Sequence, residues 1–134
     1  TNKNNNNISV AMFVGSTKYT VNTIQQQLDT APYIENSRTY VPLRALGDAL
    51  GASVSYDDKS QRIVLVHNGE RVEMQIDSNV VTTTKGGIYQ ADAVPEIRDG
   101  RTMIPLRTAA EALGCQVEAV SDQYGSTIGA LFSK

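Results

Sequence analysis

The segment Asn36–Val54, NSRTYVPLRALGDALGASV, returns as Asp99–Val117, DGRTMIPLRTAAEALGCQV, at a constant offset of 63 residues and without a gap. Arg38, Thr39, Pro42, Leu43, Arg44, Ala49, Leu50, Gly51 and Val54 reappear as Arg101, Thr102, Pro105, Leu106, Arg107, Ala112, Leu113, Gly114 and Val117. Asp29, Pro32 and Ile34 keep the same offset to Asp92, Pro95 and Ile97. A chain that carries one supersecondary unit twice must house both copies in one architecture. The expectation is therefore a pseudo-symmetric fold from an internal duplication, with repeats over about residues 29–57 and 92–120.

Each copy reads as short strand, helix, glycine stop and strand. Arg38 to Val41 is β-branched and aromatic, which favours extended backbone, and Val41 precedes a proline that disfavours helix before it. Pro42 and Pro105 suit the first helical position, where a missing N–H costs nothing. Leu43, Leu46, Ala49 and Leu50 recur at helical spacing, as do Leu106, Ala109, Ala110 and Leu113, giving one apolar face per helix. Gly51 and Gly114 fall where a left-handed C-cap residue is expected. A helix of roughly 9–10 residues cannot stand alone in water, so it must lie on a sheet. Arg44 and Arg107 invite an anion-binding reading, but Asp48 and Glu111 four residues on offer the simpler partner. Arg38 and Arg101 are expected to anchor the turns Asn36-Ser37 and Asp99-Gly100.

This pattern (polar turn, RTxVPLR, short helix, ALG, Val-containing strand) resembles the copper amine oxidase N-terminal domain-like module, or stalk domain, common in secreted proteins of Gram-positive bacteria. Ala31–Asp57 matches closely. The second copy matches from Val94 to Val117 and then departs, because Ala119-Val120 stand where Tyr56-Asp57 stood. The resemblance covers both motifs and extends to the strands between, from Ile8 onward. It implies a non-catalytic building block at an extracellular location, secreted or at the cell surface. It does not carry a copper activity, since a fold does not fix a function.

The 134 residues suffice for one domain with a real core. A net charge of −2 points to neither nucleic acid nor an anionic membrane as partner, and no apolar run approaches the ~20 residues of a membrane span. The sequence opens at Thr1 rather than Met, as expected of a processed mature form or a piece of a longer chain. Thr1–Asn7, TNKNNNN, is expected to be a flexible polar arm, with a single domain over residues 8–134. Ile8–Val14, ISVAMFV, then reads as a strand with Ile8, Val10, Met12 and Val14 on one face and apolar residues on the other. Such a strand is buried on both faces or paired outside the molecule; an arm before it permits donation to a neighbouring chain. Lys18–Val21 completes a hairpin, and Thr23–Asp29 reads as a helical turn or polar loop. Arg62–Asn68 is expected to be a central strand, Asn68-Gly69 a hairpin turn and Glu70–Ile76 a half-buried strand. Further strands are expected over residues 80–84, 88–91, 116–120 and 126–132. The last of these closes the sheet or leaves an apolar edge at Ile128, Ala130 and Phe132.

No cofactor or metal site emerges. One histidine, His67, and one cysteine, Cys115, cannot build a zinc site, an intrachain disulfide or a copper centre. Cys115 reads as a small buried apolar residue. A Cys115–His67 nucleophilic pair would require the two to meet in a cleft. Asp57-Asp58 lies in a turn, Glu70 and Glu73 on an outward strand face, and Gly86-Gly87 lacks a following phosphate-binding pattern. The fold expected is α+β, mainly antiparallel sheet with two short helices packed on it. The function expected is that of a stalk-type structural module, not an enzyme. It joins copies of itself into oligomers or filaments through sheet edges and addition of the N-terminal strand. The alternative partner is cell-wall glycan or another surface protein, met through exposed tyrosines among Tyr33, Tyr40, Tyr56 and Tyr89.

Overall fold

Within residues 7–134, which the computed structural model describes, the two repeated motifs lie side by side. The polar arm expected over residues 1–7 falls outside the described residues except for Asn7. In chain order the elements are β1 (Ser9–Phe13), β2 (Lys18–Val21), β3 (Ile24–Gln27), β4 (Tyr33–Glu35), β5 (Arg38–Pro42), α1 (Leu43–Leu50), β6 (Ser53–Asp57), β7 (Arg62–His67), β8 (Glu70–Gln75), β9 (Val80–Thr83), β10 (Gly87–Gln90), β11 (Glu96–Arg98), β12 (Arg101–Pro105), α2 (Leu106–Ala112), β13 (Gln116–Ser121) and β14 (Thr127–Ser133).

These strands form three antiparallel sheets. A central sheet runs β11-β12-β5-β4, a continuous sheet β10-β9-β8-β7-β6, and a split sheet β13-β14-β1-β2-β3. In the central sheet β5 pairs with β12, so that Val41 faces Ile104, Pro42 faces Met103 and Tyr40 faces Pro105. Counterpart positions of the two motifs thus oppose one another, the geometry of a local two-fold axis. Both helices pack against β5 and β12. Their buried Leu46, Leu50, Leu106 and Ala110 join Val10, Leu65, Val72 and Phe132 from the outer sheets in one core. The fold is α+β and mostly antiparallel strand, with two helices.

Local chemistry sets the boundaries. Pro42 and Pro105 end their strands in extended backbone (ψ 137° and 116°) and serve as N-caps; they do not occupy the first helical position. The proline φ near −65° suits both states, and the strand pairing holds ψ extended. Gly51 closes α1 at φ 71°, a left-handed cap that a side chain would strain. In the second copy the helix stops one residue earlier, at Leu113, and Gly114 follows at φ 90°. The helices are 8 and 7 residues long, so burial rather than propensity maintains them.

The structure departs from the sequence reading at β3, adds β4 and β11, and places β14 and β1 side by side in one sheet. Thr23–Asp29 contains a strand, β3, not a helical turn or polar loop. Asn22 and Thr23 both take positive φ, giving the two-residue turn that folds β3 back on β2. The short strands β4 and β11 were hidden by their turns, Asn36-Ser37 and Asp99-Gly100, which also hold positive φ. The C-terminal strand is no edge: β14 lies between β13 and β1, and Ala130 and Phe132 are buried. Finally, β1 lies inside a sheet of its own chain, flanked by β14 and β2, with Val10 and Met12 in the core and Phe13 outward. Gly129 makes this packing close, since a Cβ there would stand 2.5 Å from the Met12 carbonyl oxygen. Among the described residues no helix is long and apolar enough to cross a membrane.

Leu50 is fully buried at the end of α1. Leu50→Ala is expected to destabilise the fold by roughly 2–5 kcal/mol, read as a lowered urea midpoint; an unchanged midpoint would contradict helix-on-sheet packing.

Candidate functional site

The residues that bear chemistry gather at the contacts between the two motif copies. Arg38, opening β5, donates to Asp92 Oδ2 at 2.6 Å and to the Asn36 carbonyl of its own turn at 3.4 Å. Arg101, its counterpart on β12, donates to Asp29 Oδ2 at 3.1 Å and to the Asp99 carbonyl at 3.4 Å. Each motif arginine therefore touches its turn and crosses to the aspartate that precedes the other copy. Asp92 is held below the usual carboxylate range by its bond from Arg38. These pairs are solvent-exposed, so they orient the copies more than they stabilise them.

Each crossing borders an open cleft. One, of about 490 Å³, takes in Arg38, Thr39, Tyr89, Asp92, Arg107 and Glu111. The other, of about 350 Å³, takes in Asp29, Arg44, Tyr56, Arg101 and Thr102. Arg107 donates to Glu111 at 3.0 Å and to the Val117 carbonyl at 3.2 Å. Arg44 is exposed, and among the described residues it makes no matching bond to Asp48. Of the candidate tyrosines, Tyr33 and Tyr40 are committed to packing. Their rings stack at 5.3 Å, Arg98 lies over Tyr33, the Tyr33 hydroxyl donates to Glu96, and the Tyr40 hydroxyl donates to the Val94 carbonyl. Burial and the Glu96 bond together push the Tyr33 hydroxyl pKa up. Arg98 also bridges to Glu35, tying edge strands β4 and β11 together. Tyr56 and Tyr89 are the two that face clefts.

Among the described residues no hydrogen bond joins His67 to Cys115. Lys134 Nζ donates to His67 Nδ1 at 2.8 Å and to Glu70 Oε1 at 3.2 Å, and Lys85 reaches Glu70 Oε2 at 3.0 Å. An ammonium only donates, so Nδ1 accepts and the ring proton belongs on Nε2. Cys115 is buried just before β13, and burial pushes its thiol pKa up, away from the thiolate a nucleophile needs. Among the described residues no three His, Cys, Asp or Glu side chains are grouped to hold a metal ion. The ligand set does not fit copper. Of the sequence-designated assembly strand, Val10 and Met12 point inward while Ile8 and Val14 are partly exposed. The Lys134 contacts had no sequence signal, because they join strand ends 67 residues apart.

Burial first, then Lys134, holds His67 below its ordinary pKa of 6.5. The unfolded chain therefore binds this proton more readily than the fold does. The stabilising contribution is complete above about pH 6.5 and is lost as pH falls through the lowered folded value. Urea midpoints taken between about pH 8 and pH 5.5 stay above the range where the depressed Glu70, Glu73 and Asp92 carboxyls gain protons. The midpoint is expected to fall across the acidic half of that range, and to fall less in His67→Asn; equal slopes would contradict the assignment.

A family model described as the copper amine oxidase N-terminal domain matches residues 2–44 and 20–128. Neither the curated proteins nor the solved structures yield a match. The longer family match spans β3 to β13 and reaches the first residues of β14, and so includes both motif copies and both helices. The matched domain is a non-catalytic module of those oxidases, in keeping with the buried thiol and the lysine-bound histidine. The chain belongs to the copper amine oxidase N-terminal domain family.

Proposed function

We propose that this chain is a secreted or cell-surface structural module of the stalk type, formed by duplication of one strand–strand–helix–strand unit. Residues 8–134 act as one domain behind the polar segment of residues 1–7. Copies join into oligomers or filaments by addition of N-terminal β structure to a neighbour. The observation that carries this reading is the composition of the split sheet. Its β1–β3 half and its β13–β14 half come from segments far apart in the chain, joined by the β1–β14 pairing alone. A neighbouring copy presents the same β1 in the same register. The outer face of that sheet adds support. Phe13 and Leu131 are partly exposed there, whereas the corresponding face of the continuous sheet carries Arg62, Arg71 and Glu73 in ion pairs. The edge strands β3 and β10 are exposed throughout, and neither carries the Lys, Pro or bulge that usually blunts an edge.

A second reading, binding of cell-wall glycan or a surface protein, draws on Tyr56 and Tyr89. Each stands in a cleft with hydroxyl, guanidinium and carboxylate groups, the mixture that grips saccharide hydroxyls. An enzyme has no comparable support.

Static light scattering on a sizing column, with negative-stain imaging over a range of concentrations, separates these. Filaments or large oligomers that grow with concentration are the expected result. A monomer at every concentration, co-sedimenting with cell-wall glycan, would overturn self-assembly in favour of the clefts.

A further inference from the structure

We infer that the meander β1–β2–β3 is an exchangeable arm, which in the assembled state leaves its own β14 and docks on the β14 of a second copy of this chain. This rests on the self-assembly reading above and names the element that performs it.

The two five-stranded sheets match strand for strand: β6-β7-β8-β9-β10 corresponds to β13-β14-β1-β2-β3. Met74 faces Ile63 where Met12 faces Ala130. His67 faces Glu70 where Lys134 and Ile8 exchange backbone hydrogen bonds of 3.0 and 3.1 Å. The difference lies at one joint. In the continuous sheet Asn68-Gly69, both at positive φ, turn β7 directly into β8, so that pairing is intramolecular by construction of the chain. In the split sheet no turn links β14 to β1, and only the tether between β3 and β4 favours the chain's own strand over an identical one.

The meander is the half free to move. β13 packs against α2, and Lys134, just past β14, is pinned to His67 and Glu70 across the neighbouring hairpin. The meander's backbone pairs with β14, with itself and, from the Gly15 N–H, with the Pro32 carbonyl at 2.9 Å. Its buried side chains, chiefly Val10, Met12, Tyr19 and Leu28, would meet the same core in a second copy. The exposed Arg101–Asp29 pair would re-form there as well. Since the arm's native contacts are remade, the exchange costs what the hinge demands and the entropy of association. That hinge is the middle of the strand-free segment between β3 and β4, Thr30 and Ala31, with Leu28 and Asp29 moving with the arm. A lone β1 is a poorer donor, because its departure would break the Val10–Val21 and Met12–Tyr19 pairing with β2. Each copy gives one arm and receives one, so the contact is head-to-tail and propagates unless it closes on itself.

Ser9 and Ser133 face each other between the hydrogen-bonded pairs at Ile8–Lys134 and Val10–Phe132. A non-hydrogen-bonded antiparallel pair holds its Cα atoms about 4.5 Å apart, within disulfide reach. In a Cys115→Ala background, Ser9→Cys chains and Ser133→Cys chains are co-assembled, oxidised and run on a non-reducing gel. A mixed covalent dimer is expected, since that bridge can form only between chains. The double variant, oxidised as a dilute monomer, is expected to lose assembly and to regain it on reduction. Filaments that give no mixed dimer, and that the oxidised double variant still forms, would overturn the exchange while leaving self-assembly standing. An unmodified chain that never assembles would overturn both.

Discussion

The antiparallel pairing of β5 with β12 is the contact on which the remaining architecture depends. It places Val41 against Ile104, both inaccessible to solvent, at the point where the two motif copies meet. Each of these strands leads through a proline into a helix of two turns, too short to hold itself. The helices exist because the paired strands give their apolar faces a floor and the outer sheets give them a roof. Loss of the pairing would leave both helices without the burial that maintains them.

Around that pair the polar groups act as guides. Arg38 with Asp92 and Arg101 with Asp29 cross between the copies in matching fashion, yet all four side chains remain exposed and screened. The core is apolar apart from the buried Tyr19, Tyr40 and Cys115: among the described residues no charged side chain is buried. Stability thus comes from hydrophobic burial, which is non-directional. Relative placement comes from backbone pairing and these surface crossings. The same division explains why the chemistry-bearing residues make a poor active site. His67 is occupied by a lysine, Cys115 is held as a neutral thiol, and Arg38 and Arg101 are engaged with their turns and aspartates.

The two outer sheets show how one arrangement can be closed in two ways. A tight Asn-Gly turn makes the β7–β8 pairing local and therefore quick to form; the β14–β1 pairing must close a loop of nearly the whole chain. Sequence-distant pairing of identical register is the condition under which a second molecule competes with the first. A module that spaces or links surface structures can make use of such a seam without any additional element.

The sequence by itself determined the repeated unit, its strand–helix–strand order, the glycine stop at Gly51, the Asn68-Gly69 hairpin and the buried face of Val10 and Met12. These are local matters: periodicity, turn chemistry and the φ preferences of proline and glycine act over a few residues. It also pointed to the family, because RTYVPLR with ALG returns as RTMIPLR with ALG at fixed spacing. It missed β3, since Ile24-Gln25-Gln26-Gln27 carries little apolar pattern and becomes a strand only by pairing with β2. It missed β4 and β11, three residues each, which exist by pairing with β5 and β12. Tertiary structure alone decided that β14 is flanked on both sides, that β1 lies inside a sheet, that Arg38 and Arg101 reach across to Asp92 and Asp29, and that Lys134 meets His67. Each of these joins residues far apart in the chain, and no local preference records which distant strand will supply the hydrogen bonds or which distant charge will come within reach.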